Sequence, residues 1–339
     1  MLKKGFILFL WLLFCHTAWA VSNVDPYQLQ IPSSGQLDQD QQQAFKQLIV
    51  RVTGSDQALT NPVIEKAESK AGNYLQQYAY LQQNGQSMIS VQFNRLQIEK
   101  VLTEAKVRFW GVQRPLMVIW DVKEHDGQRD FVADGSDEGD VLRQQAQQYA
   151  LPVLLPVMDL DDSMVIRTSD VWGGFTAPVI QASHRYAADI ALLIKQYADV
   201  DKTQILDWQL LDLRTSQSLG SGQQRSLELG QNIQADMWAA VADALAAHFA
   251  VVRSDTLGER IELTFTQVND FSEYHQIDTF LSTQPSVGTS QLIAVSGHDY
   301  TFSVQLLSQW QELKNALDLT GEFKVDPQNP YLYQYQSDK

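Results

Sequence analysis

An apolar run, Leu116–Val122, constrains the fold of this chain more than any other segment. A strand with one face in solvent alternates apolar and polar side chains, whereas a strand covered on both faces is apolar along its length. Val153–Val157 is predicted as a second buried strand and Ile190–Gln196 as a third. Helical spacing over 141–149 and 178–187 separates these strands, so the order predicts a mixed sheet covered by helices.

The predicted elements divide the chain into three modules and a tail. Residues 21–112 follow the order β-α-α-β-α, which indicates a small α+β module. Residues 113–252 hold the mixed sheet of a central α/β module. Residues 253–326 follow the order βαββαβ, which predicts a ferredoxin-like module. The C-terminal tail, 327–339, has no periodicity; because one core rarely fills a chain of 339 residues, several domains are expected.

Local patterns predict the connections between these elements. Apolar spacing after Asn61-Pro62 predicts one helix that continues to Tyr78, with proline in its first position. The polar segment 125–140 is predicted as a loop. Residues 159–162 are predicted as an acidic turn and residues 170–175 as a loop between sheet and helix.

The first twenty residues have the three parts of a secretory signal peptide. Two lysines precede an apolar run, Phe6–Cys15, and Ala18-Trp19-Ala20 has the small-x-small pattern of a cleavage site. A membrane anchor is the alternative, but the run ends before the roughly 20 apolar residues that a membrane span needs. The pattern therefore predicts cleavage between Ala20 and Val21 and a periplasmic location.

Charge and cysteine content limit the classes of partner. The chain has a net charge of −15, and loss of the two signal lysines leaves 23 basic residues against 40 acidic ones, a net charge of −17. Such a chain repels nucleic acid and anionic lipid. The single cysteine, Cys15, leaves with the signal peptide, so the mature chain is expected to fold without disulfides, by packing of its cores.

Acidic and aromatic residues after the second predicted strand form the best-placed candidate binding surface. Asp159, Asp161 and Asp162 follow that strand directly, and Asp170 and Trp172 lie in the next predicted loop. Ligands of open α/β sheets gather at the carboxyl ends of strands, and hard cations prefer several carboxylates. The spacing matches no calcium loop, however, so a solvated turn is favoured over a metal site, and a packing role is favoured for Trp172.

Catalytic and cofactor motifs do not emerge from the sequence. The histidines are scattered without the spacing of a zinc site, and no G-x-S-x-G nucleophile motif occurs. Ser221 lies between Gly220 and Gly222, a segment predicted as a hairpin turn. The sequence thus predicts no catalytic residue, no metal ligand and no cofactor.

Several separated motifs resemble one family. They are Leu48–Gly54 (LIVRVTG), Tyr74–Tyr78 (YLQQY), Trp110–Pro115 (WGVQRP), Leu154–Asp162 (LLPVMDLDD) and Asp170–Gly173 (DVWG). Together they resemble the proteobacterial family called domain of unknown function 2066. The resemblance implies an exported protein and supplies no catalytic residue.

A second resemblance concerns architecture alone. Ala188–Ile194, with a helix before it and a hairpin and a long helix after it, resembles periplasmic α/β modules such as the N-terminal domain of the Tol-system propeller protein and the curli secretion lipoprotein. Those modules bind other envelope proteins, although a shared fold does not establish a shared function.

Three functions follow as hypotheses. The leading one is a non-catalytic periplasmic protein that binds or assembles with another envelope protein. The alternative is an envelope hydrolase or glycan-active enzyme with paired carboxylates among Asp159, Asp161 and Asp170. A third is a carrier of a small ligand in a pocket between domains.

Overall fold

A computed structural model describes residues 25–83, 85–226 and 232–336. The predicted signal peptide and its cleavage site lie outside these residues. Within them, the chain forms three β-sheets with helices packed against them. No helix in the described ranges has both the length and the apolar character that crossing a bilayer requires.

The first unit is a three-stranded antiparallel sheet with helices on one face. Its elements are β1 (Gln28–Pro32), α1 (Leu37–Thr53), α2 (Pro62–Glu68), β2 (Leu75–Gln83), β3 (Gln86–Phe93) and α3 (Arg95–Glu104). The strand order is β1-β3-β2. Buried side chains from 27 to 109, including Phe45, Leu48, Ile89 and Phe93, form one core cluster between sheet and helices.

The predicted helix from Pro62 to Tyr78 is wrong in its second half. The helix ends at Glu68, and Leu75–Gln83 is the strand β2, which pairs with β3 from Leu75↔Phe93 to Gln83↔Gln86. Apolar residues in 71–78 fit helical spacing, but pairing with β3 satisfies the backbone of this segment in an extended form. Tertiary pairing overrides the local pattern here.

The central unit is the predicted mixed sheet. Its elements are β4 (Met117–His125), β5 (Gln128–Phe131), α4 (Asp137–Gln148), β6 (Val153–Leu154), α5 (Leu160–Val165), α6 (Thr168–Gly173), α7 (Thr176–Ser183), β7 (Ile190–Ala198), β8 (Gln204–Asp212), β9 (Ser218–Arg225) and α8 (Ile233–Phe249). The order is β5-β4-β7-β8-β9, with β6 also paired to β4. β4 is parallel to β6 and β7.

Helices cover both faces of this sheet, which confirms the mixed α/β prediction. Met117 and Ile119 of β4 pack in a cluster with side chains of α4 and α8. Val118 and Trp120 point the other way and pack with side chains of α6 and α7. Asp121 interrupts the apolar run of β4 and is fully buried.

Four segments of this unit, three predicted connections and one predicted strand, differ from prediction. The segment predicted as the loop 125–140 contains β5 and the start of α4, and the predicted strand Val153–Val157 shrinks to two half-buried residues. The predicted turn at 159–162 and the predicted loop at 170–175 contain the helices α5 and α6. Capping side chains stabilise the starts of these helices: Ser136 caps α4, Asp159 caps α5, and Asp170 accepts the backbone N–H of Arg167 at the start of α6.

The predicted hairpin turn at Gly220–Gly222 is wrong. Both glycines lie inside β9, opposite Leu210 and Trp208 of β8. A Cβ at Gly222 would lie 2.8 Å from the indole nitrogen of Trp208, so the indole occupies the space that a side chain would need. The glycines allow close packing over an aromatic ring, which sequence spacing does not reveal.

The third unit has one strand more than predicted. Its elements are β10 (Arg260–Thr266), α9 (Phe271–Thr283), β11 (Val287–Ser296), β12 (Asp299–Leu306), α10 (Trp310–Leu319), β13 (Phe323–Val325) and β14 (Leu332–Tyr335). The strand order is β11-β12-β10-β14-β13, and β14 runs parallel to β10. The sheet thus departs from the predicted βαββαβ order at this end.

The added strand β14 lies in the segment predicted as an irregular tail. Tyr333 and Tyr335 are buried, and their rings pack against Phe265 and Phe323 respectively. Two buried aromatic side chains supply enough apolar contact to hold a four-residue strand at this position.

Candidate partner-binding site

Helix α5 starts at an ion-pair cluster built from the predicted acidic residues. Asp159 is the N-cap, and its Oδ1 accepts the backbone N–H of Asp162 at 3.1 Å. Arg185 lies in the short 3-10 turn after α7 and donates two hydrogen bonds to Asp159, at 2.7 and 3.0 Å. This bidentate contact lowers the pKa of Asp159 to about 2.

Asp162 is the buried member of this cluster, with 1% of its surface exposed. Its Oδ1 accepts from Arg185 at 3.0 Å, and its Oδ2 accepts from the Tyr186 hydroxyl at 2.6 Å and the Met158 backbone N–H at 2.9 Å. Burial and this hydrogen bond raise the pKa of Tyr186. A buried carboxylate with a cation and two further donors is fully satisfied. We call Asp159, Asp162, Arg185 and Tyr186 the α5 clamp.

The contacts of the clamp bear on the two interpretations of this segment, a solvated turn and a metal site. A solvated turn is wrong for Asp162, which is buried. The carboxylate oxygens that a cation would need are occupied by Arg185, Tyr186 and backbone N–H groups. Asp161 is exposed and forms no ion pair within the described part of the chain.

Asp170 and Trp172 have local structural contacts. Asp170 Oδ2 accepts the backbone N–H of Arg167 at 2.8 Å, a contact that caps α6. The half-buried Trp172 ring lies 3.8 Å from the guanidinium carbon of Arg129 and 5.6 Å from the centroid of Tyr197. No hydrogen bond or ring contact in the described residues joins either side chain to the α5 clamp.

Three exposed apolar residues lie beside the clamp, and the sequence pattern did not single them out. Val157, Leu160 and Met164 expose 53%, 74% and 70% of their surface. Leu160 and Met164 are four apart on α5, so they share one face of the helix. We call these three residues the α5 apolar stripe. The detectable signal was a Leu/Met pair at helical spacing directly after a capping aspartate.

A separate cleft of about 600 Å³ lies between the first and third units. Tyr27 and Arg95 line it from the first unit, and Phe280 and Glu322 line it from the third. Burial raises the pKa of Glu322. Beneath it, the buried Glu99 accepts hydrogen bonds from Tyr27 and from Arg253 of the third unit.

Comparison with known proteins gives one partial family match. A model for a domain of unknown function (DUF8605) matches residues 20–111, less than half of the chain. This is a different designation from the family that the sequence motifs resemble. A comparison with curated proteins finds no match.

Solved structures resemble parts of the chain at low identity. The C-terminal domain of LpoB from Salmonella enterica is 12% identical over 33% of this chain and 81% of that domain, with a TM-score of 0.23. Lipoprotein GNA1162 from Neisseria meningitidis is 13% identical over 39% of this chain and 95% of its own, with a TM-score of 0.24. TolB from Acinetobacter baumannii is 12% identical over 46% of this chain and 33% of its own, with a TM-score of 0.25. Likenesses of this size carry no argument about function.

Proposed function

We propose that this protein is a non-catalytic binding or assembly module of the bacterial cell envelope, and that the α5 apolar stripe contacts its protein partner. The observation that carries the proposal is the exposure of Val157, Leu160 and Met164 together beside a rigid ion-pair cluster. Exposed apolar patches mark interaction surfaces more often than scattered single residues do.

The α5 clamp supports this proposal because it fixes the helix before any partner arrives. Arg185 joins the N-cap Asp159 to the buried Asp162, and Tyr186 holds the same carboxylate. A short helix of six residues is not stable alone, but four tertiary contacts hold its first turn in place. A fixed surface loses little conformational entropy on binding.

The charge of the surroundings indicates the chemistry of the partner. Asp161 lies exposed on α5 beside Leu160, and the whole chain has a net charge of −15. A surface of this sign is complementary to basic side chains. We therefore propose a partner with an apolar pocket surrounded by lysine or arginine.

A capture experiment tests the proposal. Tagged protein, exported and folded, is mixed with periplasmic extract, and bound proteins are identified by mass spectrometry. The double variant Leu160→Gln, Met164→Gln is compared with Leu96→Gln, which changes an exposed leucine on α3. We expect one or more partners to be captured equally by the native protein and by Leu96→Gln, and at least about tenfold less by the double variant.

Two results would contradict this function. One is the reproducible absence of any captured protein. The other is undiminished capture by the double variant, which would show that the stripe is not the contact surface. Near-ultraviolet circular dichroism of each variant verifies that the protein remains folded.

The envelope location is a proposal from sequence. It rests on residues 1–20, whose charged, apolar and small-x-small segments are typical of a secretory signal. Membership of the domain of unknown function 2066 family is a further proposal, based on the separated motifs. A ferredoxin-like fold of the third unit is also a proposal, supported by the βαββα order of its first five elements.

The paired-carboxylate enzyme finds less support. Such an enzyme needs a carboxyl group that keeps its proton near neutral pH. Arg185 lowers the pKa of Asp159 to about 2, and Asp170 is engaged in capping α6. We propose that both residues are structural and that Asp159→Asn impairs stability rather than any catalytic step.

A ligand carrier is the second candidate function, favoured by the cleft between the first and third units. The cleft has amide, charged and aromatic groups in its walls, among them Gln113, Arg95, Glu322 and Phe280, which suits a small polar ligand. Thermal shifts against a panel of polar metabolites test it. A rise in the unfolding temperature of the native protein that is lost in Arg95→Gln would support the carrier function. The absence of any rise would exclude the metabolites of that panel as ligands.

A further inference from the structure

Most edge strands of the described sheets carry a feature that blocks pairing with another chain, as natural sheets usually do. At the free edge of β1, Pro32 lacks an N–H and Arg51 donates to the Gln28 carbonyl. β5 and β13 have four and three residues. β11 has two register irregularities, and β9 ends at the charged Arg225.

The edge strand β2 has one register irregularity, between Leu75 and Gln77 at its start, and none of these features over the rest of its length. It is nine residues long, and residues 76–83 are all exposed. It has neither proline nor a charged residue, and its register with β3 is continuous from Gln77 to Gln83. Tyr78 and Tyr80 expose 48% and 49% of their surface and contact each other edge to face.

The hydrogen bonds between β3 and β1 determine which backbone groups of β2 point outward at its free edge. Phe93 donates to the Tyr27 carbonyl at 3.0 Å, and Ser33 donates to the Ser87 carbonyl at 2.9 Å. Odd-numbered residues of β3 therefore bond to β1 and even-numbered ones to β2, because the two directions alternate along a strand. In the register of β2 and β3, even residues of β3 face odd residues of β2. This leaves the N–H and C=O groups of Tyr78, Tyr80 and Gln82 directed outward.

The sequence of β2 is nearly symmetric about its centre. Reading outward from Ala79, a tyrosine stands on each side, then Gln77 and Leu81, then two glutamines at 76 and 82. We propose that β2 pairs with β2 of a second copy of this chain, antiparallel, about a two-fold axis at Ala79. In this arrangement Tyr78 lies opposite Tyr80 of the partner subunit, and the outward backbone groups of each meet. The two three-stranded sheets then form one continuous sheet.

The charge pattern supports a second copy as the occupant. Asp, Glu, Lys and Arg make up 19% of the chain, yet residues 71–94 contain none of them. Two copies with a net charge of −15 each repel one another over most of their surface. Two copies can therefore make contact through this uncharged segment without bringing like charges together. A two-fold axis requires the same surface on both copies, and the segment satisfies this condition.

A charge exchange at the axis tests the proposal. Sedimentation analysis of the native protein between roughly 1 and 200 µM is expected to show a concentration-dependent monomer–dimer equilibrium, since one strand pair is smaller than a standard interface. Ala79→Glu and Ala79→Lys each place like charges face to face, so each is expected to weaken dimerisation at least about tenfold. A mixture of the two variants is expected to restore a heterodimer. Ala177→Glu, at an exposed alanine of α7, is the control and is expected to leave dimerisation unchanged.

A cysteine experiment tests the register. In a Cys15→Ser background, Ala79→Cys places two thiols across the axis, at a distance that a disulfide spans. Gln83→Cys places them roughly 27 Å apart. Mild oxidation is expected to cross-link the first variant and not the second. A native protein that stays monomeric, a dimer that tolerates Ala79→Glu, or equal cross-linking of both cysteine variants would overturn the proposal. Circular dichroism identifies any variant that fails to fold, and the remaining variants still decide the question.

Discussion

At the scale of single residues, the buried carboxyl of Asp121 in the central sheet is only partly satisfied by hydrogen bonds. Gln196 donates to its Oδ2 at 2.7 Å, while its Oδ1 has no hydrogen-bond partner within the described residues. Burial raises the pKa of Asp121 to about 7. The protonated form can therefore persist near neutral pH, and ionisation places a charge among apolar side chains.

This residue makes the stability of the protein pH-dependent. The folded-state pKa lies above the ordinary value of 3.8, so the folded protein binds the proton more tightly, and stability falls as pH rises from about 4 through 7. Between pH 5 and pH 8, we expect the free energy of unfolding to fall by roughly 2–3 kcal/mol more in the native protein than in Asp121→Asn. Urea unfolding at both pH values measures this difference. Asp130→Asn, at an exposed residue of β5, is the control, and identical pH profiles for native protein and Asp121→Asn would refute the prediction.

The α5 clamp gives a second prediction at this scale. Arg185→Met leaves the buried Asp162 without its cation, so we expect a larger loss of unfolding free energy than the removal of an exposed ion pair causes. Arg225→Met breaks an exposed pair with Asp199 and should cost less than about 1 kcal/mol. Chemical denaturation of both variants provides the comparison, and equal losses would show that the clamp is not structural.

At the scale of elements, the end of α1 is fixed by its contact with α8. Gly54 ends α1 in the left-handed conformation, with φ of 74°. A Cβ at this position would lie 2.6 Å from the Cβ of Ala246 and 2.7 Å from the backbone oxygen of Ala242. Glycine is needed here both for its backbone conformation and for the close approach of a second helix.

A pair of glycine variants separates these two requirements. Gly35 has φ of 81° and has open space where a Cβ would be, so Gly35→Ala is expected to cost about 1 kcal/mol for the backbone conformation alone. Gly54→Ala adds overpacking against α8, and we expect a total loss of about 2–4 kcal/mol. Thermal or urea unfolding measures both. If the two variants were equally destabilised, the α1–α8 contact would not be tightly packed.

At the scale of the whole molecule, Arg51 joins the first unit to the central one. It lies on α1, is 6% exposed, and donates to Gln28 of β1 and to the carbonyls of Gln147 and Gln148 at the end of α4. A cation at a helix C-terminus satisfies carbonyls that have no partner within the helix. Burial lowers the pKa of Arg51 to about 10, so the side chain remains charged at neutral pH.

Removal of this contact should loosen the connection between the units. Arg51→Met is expected to cost about 2–4 kcal/mol, because three part-buried carbonyls lose their donor. Arg108→Met is the matched control: Arg108 also links the first unit to the central one, through a half-exposed ion pair with Asp243, and should cost less than about 1 kcal/mol. Limited proteolysis between the units, together with urea unfolding, checks the prediction. Equal protease resistance in native protein and Arg51→Met would contradict it.

The candidate site shows what sequence spacing can and cannot supply. The sequence predicted a candidate binding surface within residues 159–172, and in the structure exposed apolar side chains lie in and next to this segment. It could not show that Asp162 is buried, because Arg185 and Tyr186, its partners, lie more than twenty residues away in the chain. Leu160 and Met164 were readable as a helical pair, but their exposure is a result of the tertiary structure.

The sequence by itself determined the elements whose pattern is strong and local. Val118, Trp120 and their neighbours predicted a strand covered on both faces, because burial is encoded in their apolar side chains. Tertiary structure alone decided the state of β2 and β14. Leu75–Gln83 is extended because β3 pairs with it, and Leu332–Tyr335 is a strand because β10 and two phenylalanine rings lie beside it. Weak local preferences yield to partners distant in the chain, since backbone pairing and apolar contact outweigh a few tenths of a kcal/mol of intrinsic propensity per residue.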